Sequence, residues 1–130
     1  VLQQFWSNSS LGFDFHQNNI PLRKAQGHYI TTLLSAKVEA ILRRGKKPLF
    51  LVVSHVAPGG SVSDMAVKEE DRFRAYIRNI EHEGRSKFAA VIKSLDAYVG
   101  RLVDNLYSAE ILNNLVILFM SATGGRSPFD

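Results

Sequence analysis

The chain has 130 residues, enough for one small domain and too few for two. Its 45% hydrophobic and 22% charged content matches folded globular chains and excludes wholesale disorder, a coiled coil and a collagen-like repeat. The net charge of +4 gathers around Arg43, Arg44, Lys46 and Lys47, where it fits the negative end of a helix better than a nucleic-acid face.

No apolar run approaches the ~20 residues of a membrane span. Residues 1–10 lack the basic start and apolar stretch of a signal peptide, and there is no starting Met, as expected of a processed or excised piece. The absence of cysteine excludes disulfide scaffolds, Cys-based zinc sites and thiol catalysis. Asn8-Ser9-Ser10 is a glycosylation sequon, usable at Asn8 if the protein is secreted.

Residues 1–26 show no sustained period, and Gln17-Asn18-Asn19-Ile20-Pro21 reads as loop with turn chemistry. From about His28 the spacing of Ile30, Leu33, Leu34, Val38, Ile41 and Leu42 predicts a helix, ended by Gly45. Leu49-Phe50-Leu51-Val52-Val53 is short, bulky and non-alternating, which predicts a strand buried on both faces. Ala57-Pro58-Gly59-Gly60-Ser61 turns that strand into a loop. Residues 64–85 carry charge of both signs and read as a solvated excursion, with a short helical stretch near 72–80.

Phe88, Val91, Ile92, Leu95, Val99, Leu102, Val103 and Leu106 predict a long amphipathic helix over residues 86–106, starting near Gly84 or Ser86. Asn113-Asn114 then turns into a second buried strand, Leu115-Val116-Ile117-Leu118-Phe119-Met120. Two such strands joined through a helix predict a parallel pair with a right-handed crossover. They need neighbours on both sides and helices on both faces. The expected fold class is therefore α/β, with residues 1–130 forming one segment of a larger domain or needing a partner.

In open α/β sheets, sites gather at the carboxyl ends of strands. Ser54, His55, Ser61, Ser121, Thr123 and Arg126 are the polar candidates there, and none is a carboxylate, which makes a poor site for a hard cation. His55 reads either as a ligand or general base, or as a strand-end histidine bonded to backbone. Gly124-Gly125 reads as an anion cradle or a tight turn. His16, His28 and His82 read as surface or loop residues. Asp96 falls four after Ile92 and three before Val99, which predicts a buried carboxylate hydrogen-bonded to a nearby loop, structural or beneath a site.

Lys47-Pro48-Leu49-Phe50-Leu51, the helix string Phe88-Ala89-Ala90-Val91-Ile92-Lys93-Ser94-Leu95-Asp96, and the closing Asn113-Asn114 with Gly124-Gly125 resemble the sulfatase family, in its arylsulfatase B-like branch. Gly12-Phe13-Asp14-Phe15 resembles the stretch before the first of these strands, so the resemblance covers nearly the whole chain. It implies part of an alkaline-phosphatase-like three-layer sandwich, here a parallel strand-helix-strand unit with a preceding helix. It implies secreted or lysosomal residence, and partnership with the remainder of the domain or another chain covering the sheet, not with nucleic acid or membrane. Intact family members hydrolyse sulfate esters with a formylglycine made from cysteine and a bound Ca²⁺.

The departures from that pattern are specific. The family's loop histidine falls at Gly59, with His55 four residues earlier. The family's Asp-Asn metal pair falls at Ala122-Thr123, where Ala122 offers no ligand atom and Thr123 only a hydroxyl. No confident catalytic or metal residue remains, and no cofactor is expected for this chain by itself. The expectation is a non-catalytic sulfatase-like fragment; the alternatives are part of an active sulfatase with an atypical site, or a binding or structural relative.

Overall fold

The computed structural model describes residues 4–7, 10–45, 48–58, 67–68, 77, 79–121 and 124. Two antiparallel hairpins open the chain: β1 (Gln4–Ser7) with β2 (Ser10–Phe13), and β3 (His16–Gln17) with β4 (Ile20–Pro21). Phe5 pairs with Gly12 in the first, and His16 with Pro21 in the second. The expectation of loop over residues 12–21 is corrected here. The turn signal was correct, but it joins short strands. Asn18 sits at φ 54°, a left-handed conformation that Asn tolerates, and it reverses the chain between β3 and β4.

A single 3₁₀ turn, Arg23–Ala25, leads to helix α1 (Ile30–Leu42). Ala25 and Ile30 are buried together against Phe15, Leu22, Leu33 and Leu34, which fastens the second hairpin to the start of α1. The helix stops as predicted: Gly45 takes φ 61° and its N–H donates to Leu42 O. Glu39 pairs with Arg43 across the last turn, on the exposed side.

Helix α2 (Glu83–Ser108) is longer than the predicted 86–106. It begins at His82, whose Nδ1 accepts from Arg85 N at 3.4 Å, rather than at Gly84 or Ser86. The buried stripe is Ala90, Val91, Ser94, Tyr98 and Leu106. Most of the predicted 72–80 stretch lies outside the described residues, but Ile77 is only 1% exposed and packs by Ser86, Lys87 and Ala90.

The helices run parallel. Arg101 Nε donates to Ser35 Oγ at 3.4 Å, and a few residues further along both helices Val38 and Leu42 share a cluster with Leu106. Leu102, Ile111, Leu112 and Val53 close that cluster. A 3₁₀ turn, Leu112–Asn114, ends the α2 connection where Asn113-Asn114 predicted a turn.

The two runs expected as strands buried on both faces are reported differently by the structure. Residues 49–53 and 115–120 join no ladder among the described residues. Phe50 is 93% exposed against 36% for Leu51, and the less exposed positions continue at Val53, His55 and Ala57. That period of two is the signature of an extended chain with one face on a support. The support is the helix pair, since Val53 joins the α1–α2 cluster and His55 meets Tyr98, earlier along α2. The outer face, Phe50, Val52 and Val56, meets solvent. Val116, Leu118, Phe119 and Met120 are likewise exposed. The apolar content of these runs was read correctly; burial on the second face needs a layer that the described residues do not supply.

Candidate functional site

The polar candidates cluster in sequence at the ends of the two apolar runs. Ser54 and Ser121 are exposed. Ser121 Oγ accepts from Gly124 N at 2.9 Å, and Gly124 takes φ 77°. This side-chain bond directs the Gly124 N–H at Ser121, which at Gly124 favours a tight turn. Asn8, Gly59, Ser61, Ala122, Thr123 and Arg126 lie outside the described residues.

His55 is the informative position. Its ring meets Tyr98 edge-on, with centroids 4.3 Å apart and planes at 66°. Both imidazole nitrogens are shielded from solvent and have no hydrogen-bond partner among the described residues. The expected backbone bond is therefore absent. Burial without a compensating anion lowers the His55 pKa from 6.5 and favours the neutral ring. Tyr98 is 3% exposed, its hydroxyl is also unpartnered, and burial raises its pKa. A ligand or general base must present a nitrogen to its target. Here both nitrogens are shielded from solvent.

Sequence reasoning missed Tyr98. Its signal was present: Ser94, Tyr98 and Leu102 follow one another at four-residue steps, the spacing of one helix face. The same geometry corrects Asp96. A residue two positions from both Ser94 and Tyr98 lies about 160° around the helix from that stripe. Asp96 is accordingly exposed, its side chain 69% accessible, and Oδ2 pairs with Lys93 Nζ at 3.0 Å. Of the flanking Ile92 and Val99, which made Asp96 look enclosed, Ile92 is itself 39% exposed and Val99 only half-buried.

His16, His28 and His82 are exposed, as expected, and His16 Nδ1 lies 2.9 Å from Asp14 Oδ1. Among the described residues no group of three His, Asp or Glu side chains is placed to hold a metal ion. No helix among them is long and apolar enough to cross a membrane.

The chain is similar to arylsulfatase J of Mus musculus, 27% identical over 118 residues. The match takes in 88% of this chain and 19% of the relative, so the chain spans about a fifth of the length of the protein it resembles. No protein-family profile matches, and no solved structure matches. At a coarse level, the similarity supports distant kinship with sulfatases.

Proposed function

We propose that this chain is a segment of a sulfatase-like α/β domain of the arylsulfatase B-like branch, and that it carries no sulfatase site of its own. The supporting observation is the alignment to an arylsulfatase along nearly all of this chain but a fifth of the relative. The half-covered runs are in keeping with it: residues 49–57 rest one face on α1 and α2 and leave Phe50 and Val52 bare, as one flank of a three-layer sandwich would without its other layer. The covering partner is then the remainder of the domain or another chain.

Calcium, which the resemblance brings with it, does not fit the residues present. Ca²⁺ takes six to eight oxygen ligands, with carboxylates foremost. By the resemblance, counted without gaps from Lys47-Pro48, the family's metal pair falls at Ala122 and Thr123 and its loop histidine at Gly59. With no cysteine there is also no precursor for formylglycine. On this reading these 130 residues contribute neither a nucleophile nor a metal carboxylate to sulfate-ester hydrolysis. Secreted or lysosomal residence follows from the same kinship, and in that setting the sequon at Asn8 is open to glycosylation.

The test is calorimetry with Ca²⁺ and hydrolysis of 4-nitrophenyl sulfate by the full-length protein, beside the double variant Ala122→Asp, Thr123→Asn. The expected result is neither binding nor turnover in the unmodified protein, with metal affinity recovered in the variant. Tight Ca²⁺ binding or turnover by the unmodified protein overturns the reading.

A further inference from the structure

The His55–Tyr98 contact has no role in that proposal, yet it joins two elements that otherwise meet only through aliphatic packing. The run 48–58 has one ionisable side chain, His55. That ring is the last side chain of the run shown in contact with α2 before the loop that begins at Ala57-Pro58. The contact is edge-on between aromatic rings, an arrangement favoured beyond the area it buries.

Among the described residues nothing balances a charge on the ring. On α2, the group in contact is Tyr98, a buried phenol held neutral. The nearest charged residues on that helix are engaged elsewhere: Lys93 with Asp96 on the exposed side, and Arg101 with Ser35. On α1, Glu39 pairs with Arg43, and Lys37 is exposed. No ion pair to His55 occurs among the described residues. An imidazolium has two N–H donors and a full charge, and here both nitrogens are shut off from water. Only the neutral ring can stay in place without cost.

We propose that His55 and Tyr98 form an acid-sensitive clasp that holds the end of the 49–57 run on α2 when His55 is neutral and releases it when His55 is protonated. The sign follows from linkage. A histidine whose folded-state pKa lies below 6.5 takes up its proton more readily in the released state, so the clasp is at full strength above pH 6.5 and weakens as pH falls below it. Between pH 7.5 and 5.0 the ceiling on the release equilibrium is about thirtyfold, for a clasped ring that never protonates in that range. Partial solvent access at the ring edge reduces this, and we expect at least about threefold. What moves is the end of the run, residues 53–57, whether or not the domain retains any activity.

The experiment is hydrogen–deuterium exchange of the full-length protein at pH 7.5 and 5.0, corrected for intrinsic exchange rates and read on peptides covering residues 49–57. The expected result is a threefold to thirtyfold fall in protection at pH 5.0 in the wild type, and no fall in His55→Phe, which keeps the ring contact and loses the titration. Tyr98→Phe keeps the fall, because the phenol hydroxyl is not the titrating group. A fall below threefold in the wild type, or an equal fall in His55→Phe, overturns the clasp. Titration of ¹³C-labelled His55 gives an independent reading that needs no variant. A midpoint clearly below 6.5 supports it, and one at or above 6.5 overturns it.

Discussion

Leu106→Ala and Asp96→Ala form a matched pair, ten residues apart on one helix, for which sequence and structure give opposite forecasts. The sequence pattern placed both on the inner face of α2. The structure places Leu106 at 4% exposure among Val38, Leu42, Val53, Leu102, Ile111 and Leu112, where α1, α2, the first apolar run and the 112–114 turn converge. Truncating a buried leucine costs about 2–5 kcal/mol, from lost transfer energy plus the cavity left behind. Four of those six lining residues are only half-buried, so the site can collapse inward, and the lower part of that range, about 2–3 kcal/mol, is expected. Asp96 is exposed, and its pair with Lys93 is a surface i,i+3 contact, so its removal should change stability by no more than about 0.5 kcal/mol. Urea unfolding followed by far-ultraviolet circular dichroism separates the two. With a slope of about 1–3 kcal/mol per molar urea, Leu106→Ala should lower the midpoint by roughly 1–2 M and Asp96→Ala by a few tenths at most. A loss at Asp96 equal to that at Leu106 would refute the assignment of the α2 faces.

Gly45→Ala should destabilise by about 1 kcal/mol although nothing lies within 4 Å of the added methyl, because the cost is that of φ 61° for an L-residue; thermal unfolding reads it. Ser35→Ala should be neutral within about 0.5 kcal/mol in the same assay, since the loss of a long exposed bond from Arg101 is offset by better helix propensity. Phe50→Ser combined with Val52→Thr should reduce self-association of the 130-residue chain in sedimentation, because both lie on the bare face of the run. In a full-length protein whose second layer covers that face, the same pair should lower the unfolding temperature, and an unchanged temperature would count against such a layer.

Local order was legible in the residues. The end of α1 at Gly45 follows from glycine's freedom at positive φ, and the existence of α2 from a long apolar period, so both are properties of short stretches of chain. The Asn18 reversal was visible as a turn, but whether its flanks pair as β3 and β4 depends on packing against Ala25 and Ile30, which no local pattern contains. The apolar character of residues 49–53 and 115–120 was also plain, and so was their need for neighbours. Which face the helices cover was not, because a run apolar at every position carries no period to mark its inner side. The candidate site divides in the same way. That Ala122, Thr123 and Gly59 offer neither a carboxylate nor an imidazole is a matter of residue identity and was plain in the sequence. The outward turn of Asp96 and the meeting of His55 with Tyr98 were decided only by tertiary structure. Helical phase accumulates 100° per residue, and the stripe that faces the core is chosen by the elements packed against it rather than by the helix alone.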